Sequence, residues 1–107
     1  MEHSLDGWEI GRFADIDWAA WGGGGNARAK VLGVADGFFV AFVDAEAGYR
    51  GDPHVHQHPE FLYVVEGKAR NQGRDMVAGD GYAAAIGSWH TDFETDVGAR
   101  YLSIFKL

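Results

Sequence analysis

The sequence predicts an all-β protein, a small antiparallel sandwich or barrel with little helix. Three observations lead there. Runs rich in β-branched and aromatic residues recur along the chain, and glycine-centred turn signals separate them at short, regular intervals. No stretch reads as a helix of convincing length, and there is no internal repeat. The 107 residues are expected to form a single domain, large enough to bury an ordinary core without disulfide or metal staples.

The elements follow in order. Residues 1–25 are expected to be an N-terminal leader and glycine hinge, with the barrel over 26–107. The leader carries Trp8, Trp18 and Trp21 interleaved with acids, and these rings need a surface to cover. Gly22 to Gly25 have the composition of a flexible connection. AKVLGV and FFVAFVD then flank Ala35-Asp36-Gly37, a hairpin signal in which Asp-Gly tolerates the positive φ of a tight turn. EFLYVVEG follows and is expected to end at Gly67. KARNQ, RDMVA, YAAAI, WHTDFE and ARYLSIFKL are the remaining strands, separated by Gly73, Gly79-Asp80-Gly81, Gly87 and Gly98.

Composition excludes several functions. Nine basic against sixteen acidic residues leave a net charge of -7, which argues against a nucleic-acid backbone or an anionic membrane as partner. Cysteine is absent, so there is no disulfide framework, thiolate metal site or cysteine nucleophile. No apolar run approaches the ~20 residues of a membrane span. The N-terminus, MEHSLDGWEIGRFADIDW, is acidic and lacks the basic start and apolar stretch of a secretion signal, so a soluble cytoplasmic protein is expected.

The chemistry concentrates in GYRGDPHVHQHPEFLYVVEG, residues 48–67. Imidazole nitrogen and carboxylate oxygen suit a borderline divalent metal, and His54, His56 and Glu60 lie close enough in sequence to converge on one ion. On an extended backbone His54 and His56 point the same way. Pro53 and Pro59 bracket them and disfavour helix. A second cluster, GDGYAAAIGSWHTDFE, offers His90 beyond a Gly87-Ser88 turn.

These two clusters resemble the two motifs of the cupin superfamily. The first reads Gly-x5-His-x-His-x3-Glu-x6-Gly from Gly48 to Gly67 with every fixed position matched. The second, Gly-x5-Pro-x-Gly-x2-His-x3-Asn, reads Gly79, Ala85, Gly87, His90 and Glu94, with Ala85 in place of proline and Glu94 in place of asparagine. The resemblance covers roughly residues 27–107 and implies a double-stranded β-helix, or jelly roll. It further implies one divalent transition metal held by His54, His56, Glu60 and His90, with Fe(II) favoured and Zn, Ni or Mn as alternatives.

Neighbouring residues have blander readings. His58 shares the parity of His54 and His56, but the family leaves its position variable, so it is expected beside the site or exposed. Asp92 and Glu94 alternate with His90, and one of them could orient a ligand imidazole; solvated acids at a strand end are the favoured reading. Trp89, Phe93, Phe38, Phe42, Tyr82 and Phe105 could line a pocket, although aromatic residues in a small barrel are more often core. The outward row Phe61, Tyr63 and Val65, together with the tryptophans of the leader, leads to the expectation of a homodimer.

A metal with three histidines and one carboxylate keeps positions open for water, substrate or dioxygen. The leading expectation is a metal-dependent enzyme acting on a small organic molecule. The compact single-domain form is similar to cupin dioxygenases that cleave diketones or hydroxyaryl ketones, with Glu60 as the catalytic residue, an iron ligand that loosens as substrate binds or a carboxylate that holds a water or acts as a base. A non-redox lyase, isomerase or cyclase is the alternative within the same site. A metal- or ligand-sensing cupin without turnover is the alternative of another class, disfavoured by the absence of a fused output domain in the sequence.

Overall fold

The computed structural model describes residues 6–107. The first five residues of the expected leader lie outside the described residues. Ten strands account for most of the rest: β1 Ala19–Ala20, β2 Ala27–Ala35, β3 Phe38–Ala45, β4 His54–Val55, β5 Glu60–Asn71, β6 Arg74–Val77, β7 Gly81–Ala84, β8 Trp89–His90, β9 Phe93–Glu94 and β10 Ala99–Lys106. A 3-10 turn at Phe13–Asp15 is the only helical element among the described residues. The fold is all-β, as expected.

The main sheet runs β1-β2-β3-β10-β5-β6, entirely antiparallel, with β7 and β9 also paired to β5. β4 and β8 form a separate ribbon in which His54 stands opposite His90. β5 is therefore the hub. Its first half pairs with β10 on one edge and β7 on the other, and its second half pairs with β6 and β9. Bending one long strand between two sets of partners curls the sheet around its core.

That bend corrects the expectation that Gly67 ends a strand. EFLYVVEG and KARN are one strand, with a register shift that skips Val65 opposite Arg100/Tyr101. Gly67 has φ 83, and a Cβ there would collide with the carbonyl oxygen of Gly98. Only glycine meets both demands, so the motif glycine lets the chain turn without breaking the ladder. WHTDFE divides instead: β8 and β9 are separated at Thr91-Asp92, where Gln72 Oε1 accepts from both backbone N–H groups.

The Ala35-Asp36-Gly37 hairpin joins β2 and β3, with Asp36 at φ 51 and Gly37 at φ 81. Gly22–Gly25 makes the bend between β1 and β2, closed by the Trp21 N–H donating to the Ala27 carbonyl at 3.0 Å. The leader is thus laced into the sheet. Phe13 and Trp18 cover Phe42 with ring centroids 5.1 and 6.4 Å away, and the buried Lys30 ammonium lies between the two leader rings while donating to the Phe13 carbonyl at 2.7 Å. The inward faces supply the core, with Val43, Val64 and Thr95 fully buried. Alternation along β3, β5 and β10 puts Ala41, Leu62 and Ser103 in one inward layer and Val43, Val64 and Tyr101 in the next.

Candidate metal centre and its cavity

Backbone pairing brings the motif residues together. The β4–β8 ribbon sets His54 against His90, and the Gly87 N–H donates to the His56 carbonyl at 2.8 Å while the His56 N–H donates to Ser88 at 2.9 Å. Glu60 opens β5 beside them. One donor atom from each of His54, His56, Glu60 and His90 falls within 4.8 Å of the other three. Two ligands bound at about 2.0–2.2 Å to one ion stand at most about 4.4 Å apart, so small side-chain shifts close the set. His58 is half-buried in the bend and stands outside this cluster.

Each ring is held from behind. His54 Nδ1 lies 2.9 Å from the Asp52 carbonyl, which can only accept, so Nδ1 carries the proton and Nε2 the lone pair. His56 Nδ1 lies 2.9 Å from Ser88 Oγ and 3.2 Å from the Ser88 carbonyl. Ser88 Oγ donates its own proton to the Ala85 carbonyl at 2.6 Å, so the imidazole is again the donor. His90 Nε2 donates to Asn71 Oδ1 at 2.7 Å, leaving Nδ1 bare.

The two bare nitrogens, His56 Nε2 and His90 Nδ1, are the buried side-chain polar atoms without a hydrogen bond among the described residues. They lie 3.7 and 3.8 Å from Glu60 Oε2. A buried unsatisfied polar atom costs about 1–3 kcal/mol, and native folds retain few of them. Two lone pairs aimed at one carboxylate have the chemistry of a cation site. The residues present fit a divalent metal, and the cluster can bind one.

Electrostatics agree. Burial lowers the His90 pKa from 6.5, against the opposing pull of Glu60, which keeps the ring neutral and available as a ligand. The Tyr82 hydroxyl donates to Glu60 Oε2. Burial, reinforced by the Glu60 charge, pushes Tyr82 far above its ordinary value of 10.0, so it stays a donor.

A cavity of 210 Å³ opens in front of the donors, between Glu60, His54 and His90 on one side and Trp21, Tyr49, Leu62, Phe93, Tyr101 and Ser103 on the other. It is smaller than the roughly 300–1,000 Å³ of drug-sized sites, which suits a ligand of few heavy atoms. A second cavity of 210 Å³, on the rear side, is lined by His56, His90 and Tyr82 together with Asn71, Ser88 and Trp89.

A family model for the ChrR cupin-like domain matches residues 8–105. The chain belongs to the ChrR cupin-like domain family. A protein from Methylibium petroleiphilum proposed to be an acetylacetone dioxygenase superposes on this cupin with a TM-score of 0.83 at 24% identity, covering 99% of this chain and 81% of its own. An acetylacetone dioxygenase from Acinetobacter johnsonii superposes with a TM-score of 0.77 at 15% identity over 99% of this chain and 77% of its own. A chain of the Rhodobacter sphaeroides SigE complex with the anti-sigma ChrR gives a TM-score of 0.72 at 24% identity, over 89% of this chain but 52% of that one. At these identities the likeness is one of fold. No curated protein matches the sequence.

Sequence reasoning missed several residues here. Neither Asp92 nor Glu94 reaches the cluster: Asp92 accepts from the Gly73 N–H at 3.2 Å, and Glu94 pairs with Arg50 and Arg70. Asn71 takes the place considered for them behind His90. Of the aromatic residues considered for a pocket, Tyr82 and Phe93 line the front cavity, Trp89 lines the rear one, and Phe42 lies under the leader. Trp21, Tyr49 and Tyr101 line the front cavity with no motif to signal them. No helix among the described residues is long and apolar enough to cross a membrane.

Proposed function

We propose that this cupin binds one divalent transition metal through His54, His56, Glu60 and His90, with Fe(II) favoured, and acts on a small carbonyl compound in the adjoining cavity. The best-supported reaction is oxidative cleavage of a diketone or hydroxyaryl ketone. One observation carries the reading: buried imidazole lone pairs, fixed from behind, converge beside Glu60, and Glu60, His54 and His90 line a small cavity. Similarity of fold to the acetylacetone dioxygenase of Acinetobacter johnsonii supports it.

A ferrous ion bound there supplies Lewis acidity and redox chemistry toward dioxygen. The chain supplies the rest. Glu60 Oε2 accepts from Tyr82, and Oε1 is the oxygen that would take the acidic proton between two carbonyl groups. Proton transfer from that carbon to Oε1 leaves an enolate in the cavity. Tyr82 steadies the carboxylate during the transfer. Leu62, Phe93 and Trp21 exclude water from the reacting carbons. The exposed row Phe61, Tyr63 and Val65, at 44%, 50% and 42%, supports a homodimer that covers it.

The second reading is a sensor without turnover, favoured by membership of the ChrR cupin-like family and by likeness to the SigE–ChrR complex. Elemental analysis of protein purified without chelator, followed by oxygen-uptake assays with β-diketones, separates the two. Near-stoichiometric iron and oxygen consumption dependent on Glu60 support the dioxygenase. Zinc or nickel with carbonyl turnover but no oxygen uptake moves the assignment to a lyase, isomerase or cyclase. Metal binding without turnover of any carbonyl substrate supports the sensor.

A further inference from the structure

Three side chains that the chemistry above leaves without a polar role meet on the wall of the front cavity. Trp21 follows β1 and packs edge-on against Phe105 at 5.4 Å. Tyr49 lies in the loop after β3 and Tyr101 on β10; both are buried, and both pack edge-on against Phe93, at 6.5 and 5.1 Å. The two phenols and the Trp21 side chain are close enough to influence one another, and all three line the same cavity.

Proton counting gives this group a direction. An indole N–H only donates, and each phenol carries one proton. Three donor protons share two phenol oxygens, and two hydroxyls cannot donate to each other at once, so the group always has a proton to spare. The Ser103 side chain, two residues from Tyr101 on the same face, lines the same cavity. Burial raises the pKa of both tyrosines above 10.0, so neither becomes a phenolate at ordinary pH. The cavity lining includes Asp52 and Glu60 but neither lysine nor arginine. In the metal-free chain the recess offers spare donors in an acidic field, which suits a neutral acceptor oxygen and repels an anion; a bound divalent ion would offset the two carboxylates.

We propose that Trp21, Tyr49 and Tyr101 form a recognition recess for a neutral carbonyl oxygen on the small molecule that reaches the metal donors. This deepens the preceding reading and rests on it for the metal end of the ligand. The leader acquires a role in selectivity, because its last ring walls the substrate cavity.

The test uses the full chain, ¹⁵N-labelled and metal-free so that nothing turns over and no ion draws a carboxylate in, with the Trp21 indole resonance assigned through Trp21→Phe. Pentan-2-one and butanoate are the probes, of similar size and different charge. Pentan-2-one is expected to shift the Trp21 resonance saturably and butanoate to bind at least about tenfold more weakly. Tyr49→Phe combined with Tyr101→Phe should weaken the ketone about tenfold with separately measured zinc stoichiometry unchanged, and each single change, which keeps its ring and packing, should give part of that loss. Equal affinity for butanoate overturns the proposal, as does ketone binding that leaves the Trp21 resonance still or is insensitive to both phenylalanine changes. A wild-type chain that takes up no zinc yet keeps the ketone-induced shift would refute the metal reading while upholding the recess.

Discussion

Replacing Asn71 by alanine isolates one of the contacts that aim the site. Asn71 Oδ1 accepts the His90 Nε2 proton at 2.7 Å, and that single bond determines which nitrogen of a buried ring faces Glu60. Without it the ring is free to carry its proton on Nδ1, where it points at the site and must leave before a metal can bind. Loss of such an outer partner typically weakens metal binding about 10–100-fold, which is about 1.4–2.7 kcal/mol. The metal-free fold should lose about 1 kcal/mol for the hydrogen bond, a fall of roughly 4–8 °C in Tm for a domain near this size. Zinc competition against a chromophoric chelator gives the affinity, and melts with and without zinc give the stability. Asn71→Asp keeps an acceptor in place and should restore tight binding, since a carboxylate accepts the stronger bond. A lower Tm with unchanged zinc affinity in Asn71→Ala would refute the reasoning, because it would make Asn71 a packing residue only.

Three further outcomes are expected. Changing His54 and His56 together to alanine should abolish metal uptake while circular dichroism still reports a folded β-rich chain; retained stoichiometric metal would rule out the proposed ligand set. Acidification of the metal-free protein should reduce its stability: the folded His90 pKa lies below 6.5, so the unfolded chain binds the proton more readily, and ΔG of unfolding should rise with pH up to about 6.5 and then level as far as this group is concerned. Thermal melts of His90→Gln, which lacks the group, should be flatter over that window. Gly67→Ala should cost about 2–4 kcal/mol, combining the left-handed backbone penalty with a clash that must be relieved; an unchanged denaturant midpoint would mean that the bend in β5 does not need glycine.

The donor residues were legible because they are local or carried by a spaced motif. Four of the five histidines sit within the two clusters, and strand alternation accounts for His54 and His56. The groups behind the rings were not. Asn71 is eleven positions beyond Glu60, an odd separation that simple alternation would put on the opposite face. The register shift at Val65 and the turn at Gly67 reverse the parity, so Leu62, Val64, Ala69 and Asn71 all face inward or toward the site. A bulge is set by how one strand meets two partners, and the glycine that permits it reads in sequence as a strand end. Trp21 was hidden for a related reason. The Gly22–Gly25 run has linker composition, while the contacts that make it a bend in a hairpin come from Ala27, which pairs only once the sheet exists.

The fixation of the rings bears on enzyme against sensor. His54, His56 and His90 are each oriented by a partner from a different segment, Asp52, Ser88 and Asn71, before any ion arrives. The cost of ordering them is already part of the fold, and the bare nitrogens at the centre make the metal-free state less stable than its packing alone would give. Metal binding should therefore raise stability by linkage, in proportion to the logarithm of metal concentration over Kd, with little change of shape. A sensor that signals through shape needs two arrangements of comparable free energy with different affinities for the ion. A site whose rings are already held by backbone carbonyl, serine and asparagine should take up an ion with little rearrangement, and such preorganisation suits a reacting centre. The balance would tip toward sensing only if metal uptake moved amide resonances beyond the β4–β8 ribbon, and a titration of the ¹⁵N-labelled chain with zinc measures that directly.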